Sequence, residues 1–157
     1  MSAPETITLH VNGAEHVLHV DASTPLIYVL RNQLALTAAK LGCALEQCGA
    51  CAVLVDGVST LSCVTPVAAF AGRAIVTCEG LGGAAALSAV QKAFVDEGAG
   101  QCGYCIPGLV VAVTALLHAH PDPDEAQIRT ALTPHLCRCG AHPRVLRAVR
   151  RAAAMAP

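Results

Sequence analysis

Tryptophan is missing from this chain, and two Phe and two Tyr are its only other large aromatics. That scarcity excludes a surface on which nucleic-acid bases stack. An excess of either charge is missing too. Ten Lys and Arg face eleven Asp and Glu, which argues against a phosphate-binding footprint or a polybasic membrane patch. The longest apolar run, 106–117, is too short to cross a bilayer. The first six residues have neither a basic n-region nor an apolar h-region, so no signal peptide and a cytoplasmic location are expected. No Ser/His/Asp set, paired carboxylates or phosphate-cradling glycine loop stands out. No catalytic residue is therefore predicted, and no bond chemistry on this chain alone.

What the chain does have is apolar surface and cysteine. Over half its residues are apolar and 13% are charged, so part of its surface is expected to lie against partner subunits. Nine cysteines, clustered and odd in number, read as metal ligation rather than disulfides in a cytoplasmic setting.

Cys43, Cys48 and Cys51 follow the spacing C-x4-C-x2-C, with Cys63 as a distant fourth. This is the ligand spacing of a plant-type ferredoxin 2Fe–2S loop. Two sulfide-bridged irons need four converging thiolates, and a short loop must curl around them with its N–H groups aimed at sulfur. Gly42 and Gly49 sit where that curl requires positive φ or close backbone approach.

The segments on either side predict the fold. Residues 7–11 and 16–20 alternate around Asn12-Gly13, a hairpin signal. Thr24-Pro25 reads as an N-cap with Pro at the first helical position, followed by Leu26, Val29, Leu30 and Leu34 on one face. Residues 52–55 and 58–61 flank Asp56-Gly57 as a second hairpin that carries Cys63 back to the loop, and 74–77 reads as a closing strand. Strand, strand, helix and cysteine loop together make a β-grasp beginning. At residues 79–83 the pattern breaks, and the period changes from two to about 3.6.

Four helices are predicted beyond that point. The first spans 86–97. The second opens at Pro107, runs to about 118 and is apolar all round, hence buried. His118 and His120 near its end read as surface histidines. The third is capped at Asp122, with Pro123 at its first position, and stops before Pro134. The fourth starts at Pro143, with Val145, Leu146, Val149 and Ala152 inward and Arg147, Arg150 and Arg151 solvated. The expected class is α+β, with a β-grasp domain over 1–78 and a four-helix bundle over 79–157.

Cys102 and Cys105 precede the second helix, and Cys137 and Cys139 lie between the third and fourth. In an antiparallel bundle both junctions fall at one end, and four thiolates suffice for a second 2Fe–2S cluster. On spacing alone a zinc site stays open. A dithiol redox motif at Cys102–Cys105 wants a βαβ setting that is lacking here. A Rieske centre needs two His ligands. Cys78 is left over and reads as a small buried residue at a strand end.

With both sets in this order, the chain resembles the small iron–sulfur subunits of the xanthine oxidase family of molybdenum hydroxylases. The likeness rests on residues 42–51, Val55-Asp56-Gly57, Glu79-Gly80-Leu81, Gln101-Cys102-Gly103-Tyr104-Cys105, Pro107-Gly108 and Leu136-Cys137-Arg138-Cys139-Gly140. It implies one 2Fe–2S cluster on Cys43, Cys48, Cys51 and Cys63 and another on Cys102, Cys105, Cys137 and Cys139. It places Gln101 and Cys139 against the pterin of a molybdenum cofactor held by a large partner subunit, and Gly42, Gly49 and Gly103 among the cofactor-contacting residues. Electrons would pass singly from molybdenum through both clusters to a flavin or haem acceptor on another polypeptide, an FAD-binding subunit or a cytochrome. Glu46-Gln47 and Gly140-Ala141-His142 lean towards the isoquinoline, nicotinate and aldehyde dehydrogenase branch, which favours a cytosine-dinucleotide pterin. Ala44 departs from the family, which usually has Gly after the first cysteine; positive φ there would strain Ala.

Overall fold

The computed structural model describes residues 4–83 and 85–155. The Met1–Ala3 part of the segment read for a signal peptide lies outside them. Among the described residues, no helix is long and apolar enough to cross a membrane.

The alternating runs form β1 (Glu5–Val11) and β2 (Ala14–Val20), paired antiparallel from Glu5↔Val20 to Val11↔Ala14. Asn12 and Gly13 both adopt positive φ, 52° and 80°, as a type I′ turn requires. β3 (Ala52–Val55) and β4 (Val58–Leu61) repeat the device, with Asp56 at 50° and Gly57 at 81°. β5 (Ala74–Val76) slots between the hairpins, parallel to β1 and antiparallel to β3, giving a mixed sheet of order β2-β1-β5-β3-β4. α1 (Leu26–Asn32) covers one face. Its Leu26, Ile27, Val29 and Leu30 join Leu9, Val11, Val53, Val55 and Ile75 in the core.

The helical half contains α2 (Ala89–Asp96), α3 (Ile106–Ala119), α4 (Glu125–Leu132) and α5 (His142–Met155). α3 is buried along most of its length, as its all-round apolarity predicts, while His118 and His120 are exposed. Val145, Val149 and Ala152 of α5 are buried, joined by Ala148, and Leu146 is half-buried. The exposed arginines of α5 pair outward: Arg147 with Glu97 at 2.9 Å and Arg151 with Asp96 at 3.0 Å. Such exposed, solvent-screened pairs contribute little to stability.

All five helix starts differ from the sequence reading, α3 and α5 by one residue each, at Ile106 and His142. α1 begins at Leu26 with Pro25 in the cap position, so Thr24 caps nothing. α2 starts at Ala89, not 86. Ser88 accepts from the Gln91 amide, and the Gln91 side chain accepts from the Ser88 amide. α4 is capped by Asp124, not Asp122, through the same reciprocal pair with Gln127. In both cases a complete capping box outcompetes the earlier acidic or apolar residue.

β3 is buried on both faces. Val53 and Val55 face α1, whereas Ala52 and Leu54 pack on Val111 of α3. This shared strand seats the helical half on the sheet and brings the two sets of cysteines near one another.

Candidate metal centres

Residues 41–51 have no regular secondary structure; their amides turn inward instead. Ala44 and Glu46 both sit at φ 55°, in the left-handed region, at a cost of about 1–2 kcal/mol each. The result is a nest of donors. Leu45 N and Gln47 N each donate to Cys43 Sγ at 3.3 Å, Cys43 N to Cys48 Sγ at 3.4 Å, and Glu46 N to Cys63 Sγ at 3.4 Å. Gly42 is required by close approach, since a Cβ there would lie 2.7 Å from Cys48 Sγ. Gly49 is required by its φ of 73°. The Glu46 carboxylate accepts from the Thr65 hydroxyl at 3.1 Å, pinning the loop tip beside Cys63.

The four thiols meet as two pairs, Cys43 with Cys48 and Cys51 with Cys63. The amides of Gln47 and Leu45 pull the Cys43 thiol down to about 7. Burial pushes Cys51 up to about 12, with the facing Cys63 adding to it. A thiolate at Cys51 therefore needs positive charge beside it, which a metal supplies. Four soft donors, two by two, with amides aimed at their sulfurs, fit a bridged pair of irons.

The second set is built the same way. Cys102 meets Cys139, and Cys105 meets Cys137. The Tyr104 amide holds Cys102 below the usual thiol range, and burial pushes Cys105 up to about 12. Burial also works against the Cys137 thiolate. The Ala141 amide and the Cys105 thiol outweigh it, and Cys137 ends below the usual range. Gly103, at φ 82°, and Gly140, at 72°, make the two tight turns. The exposed Gln101 side chain donates to the Cys139 carbonyl at 3.2 Å. Among the described residues, no three His, Cys, Asp or Glu side chains converge as they would on a single ion. Cys78 joins neither set and is half-buried rather than buried; burial raises its thiol, and Gln91 donates to its carbonyl at 3.0 Å.

The two loops touch through contacts that the sequence did not indicate. Leu136 N donates to Cys48 O at 3.0 Å. Tyr104 Oη donates to Leu41 O at 2.7 Å. His135 is buried with no partner for Nδ1, and burial lowers its pKa to about 4, so it is neutral near pH 7. Its ring fills the space that a Cβ on Gly49 would take. Gly108 of α3 lies so close to the Gly49 carbonyl that a Cβ there would overlap it. Of these residues only Gly108 carries a local sequence signal, as the one glycine within α3. Around these loops Leu45 is 65% exposed, Leu136 63% and Tyr104 47%, which fits the expected contact with partner subunits.

Two family profiles match. A 2Fe–2S iron–sulfur cluster binding domain covers residues 9–78, and a 2Fe–2S binding domain covers 77–150. The chain is 53% identical to one of the nicotinate dehydrogenase subunits of Pseudomonas putida, over 94% of each chain. It is 41% identical to the alpha subunit of isoquinoline 1-oxidoreductase of Brevundimonas diminuta, over 87% of this chain and 90% of that one. Among solved structures, quinoline 2-oxidoreductase from Pseudomonas putida 86 superposes with a TM-score of 0.92 at 32% identity, covering 98% of this chain and 96% of that chain. Aldehyde oxidoreductase from Desulfovibrio gigas also gives 0.92, at 41% identity over 96% of this chain, which spans only 17% of that longer polypeptide. With paired thiols in two amide-lined loops and full-length likeness to these proteins, the chain belongs to the electron-transferring iron–sulfur subunits of the xanthine oxidase family of molybdenum hydroxylases.

Proposed function

We propose that this chain holds two 2Fe–2S clusters in series, one on Cys43, Cys48, Cys51 and Cys63 and one on Cys102, Cys105, Cys137 and Cys139. In this reading the chain divides into a β-grasp domain over 1–78 and a helical bundle over 79–157, each carrying one set. When bound, a 2Fe–2S cluster takes up and gives back one electron at a time. The chain's own part is to hold the sulfurs, aim amides at them and keep the two loops in contact.

The exposed edge at Gln101 and Cys139 faces a large molybdopterin-binding subunit in this reading. Gln101 orients the Cys139 carbonyl and meets the pterin, taken as the cytosine dinucleotide. The exposed Leu45 edge of the other loop faces the acceptor, an FAD-binding subunit or a cytochrome. Likeness to the nicotinate and isoquinoline enzymes favours an N-heterocycle or aldehyde as the substrate of the whole complex and a cytoplasmic setting.

The observation that carries the reading is the set of backbone amides aimed at the Cys43, Cys48 and Cys63 sulfurs, with backbone contact between the two cysteine loops. The native protein is expected to purify red-brown with a large molybdenum-containing subunit, carrying about four irons and four sulfides per chain. Colourless protein with zinc and no sulfide refutes it. A loaded chain that purifies alone is instead an independent two-cluster ferredoxin.

A further inference from the structure

Resting on the two-cluster reading above, we propose that Tyr104 is a positioning residue for electron passage between the two centres. Its hydroxyl straps the loop of Cys102 and Cys105 to the start of the loop of Cys43, Cys48 and Cys51. The bond from Tyr104 Oη to Leu41 O, at 2.7 Å, spans 63 positions of sequence. Among the described residues, no other side-chain hydrogen bond joins these two loops.

Its acceptor stands at a sensitive place. Leu41 leads directly into Gly42, whose backbone packs so tightly on Cys48 Sγ that a Cβ would lie 2.7 Å from the sulfur. The next amide, Cys43 N, donates to that same sulfur at 3.4 Å. A shift of the Leu41 carbonyl is therefore passed within two residues to the packing and hydrogen bonding of Cys48. The middle of the loop is pinned separately, by Leu136 N on Cys48 O and by the His135 ring on Gly49. Just ahead of the loop Lys40 N donates to Ala50 O at 2.9 Å, and Tyr104 holds the Leu41 carbonyl itself. Gly103, at φ 82°, supplies the turn just before Tyr104. Phenylalanine would fill the same space and lose only the donor.

Hydrogen bonds to sulfur tune an iron–sulfur potential. Donors favour the reduced, more negative state, so loosening the Cys43 N–H on Cys48 lowers the potential of the β-domain cluster and leaves the other unmoved. The test is Y104F in the assembled complex, by EPR-monitored redox titration, the magnetic splitting between the two reduced clusters, and the rate of reduction of the β-domain cluster. The expected result is a lower potential for that cluster alone, an altered splitting and a several-fold slower rate. Selective loss of the β-domain cluster from Y104F also supports the strap. Unchanged potential and splitting overturn it, as does loss of both clusters together. A wild-type complex without two 2Fe–2S signals refutes the underlying reading, a result distinguishable from failure of the strap alone.

Discussion

The amide of Leu136 donates to the carbonyl of Cys48 across 3.0 Å, so a residue next to one proposed ligand is bonded to the backbone of another. The bond uses main-chain atoms, and changing the Cys48 side chain leaves both partners in place. Cys48→Ser is therefore expected to alter or abolish one of the two EPR signals of the reduced protein and to leave the helical-domain signal intact. Loss of both signals would mean that the loops form one cooperative unit.

Gly108 sets two effects against each other. Alanine is a better helix former than glycine by about 1 kcal/mol, which alone predicts a gain in α3. The added Cβ, however, would overlap the Gly49 carbonyl oxygen and approach Ala50 Cα at 3.3 Å. Backbone cannot rotate away as a side chain can, and such overpacking costs roughly 1–3 kcal/mol. The clash wins. Gly108→Ala is expected to lower the melting temperature and to speed iron loss from the β-domain loop, read by thermal unfolding and by bleaching of the visible spectrum.

Ala44 runs the other way. Its φ of 55° costs an L-residue about 1–2 kcal/mol, and glycine adds roughly 0.4–1 kcal/mol of unfolded-chain entropy in opposition. Relief of strain is the larger quantity, so Ala44→Gly is expected to stabilise the loop by roughly 0.5 kcal/mol. Slower release of iron to a chelator would register it; faster release would mean that the Cβ makes a contact worth more than the strain.

How far these features can be read in advance depends on how local their causes are. Asn12-Gly13 and Asp56-Gly57 announced their hairpins because both turn positions need positive φ, and those residue pairs tolerate it. Ser88 and Gln91, like Asp124 and Gln127, carried an equally local signal, a box of fixed spacing, which reading from apolar periodicity and from Asp122 passed over. The meeting of Cys102 with Cys139 followed once both loops lay at one end of the helices. The contacts of His135, Tyr104 and Leu136 were not legible. Each acts on residues 41–49, which only the packing of α3 on β3 brings near.

Gln101 donates to the Cys139 carbonyl at 3.2 Å from an exposed position, so its loss removes a surface hydrogen bond and uncovers no buried group. Gln101→Ala is expected to leave iron and sulfide content unchanged while slowing substrate-driven reduction of the clusters several-fold, by removing the pterin contact proposed for Gln101. Stopped-flow bleaching of the loaded complex measures it. A rate equal to wild type would remove Gln101 from the pterin edge.

Acid should act on the helical half through two carboxylates. Lys92, then Arg151, hold Asp96 below the usual carboxylate range, and Arg150 and Arg129 do the same for Glu125. A carboxylate lowered in the folded state contributes stability above its unfolded-state value, about 4. That contribution is lost as pH falls through the lowered folded value. The ties between α2 and α5 and between α4 and α5 thus weaken below about pH 4. The variant Asp96→Asn with Glu125→Gln is expected to be less stable than wild type at pH 7 and to approach it as pH falls. Iron release in acid is common to both proteins, so the difference between their melting curves carries the test. A difference that stays constant from neutral to acid pH would mean that these pairs contribute nothing through charge.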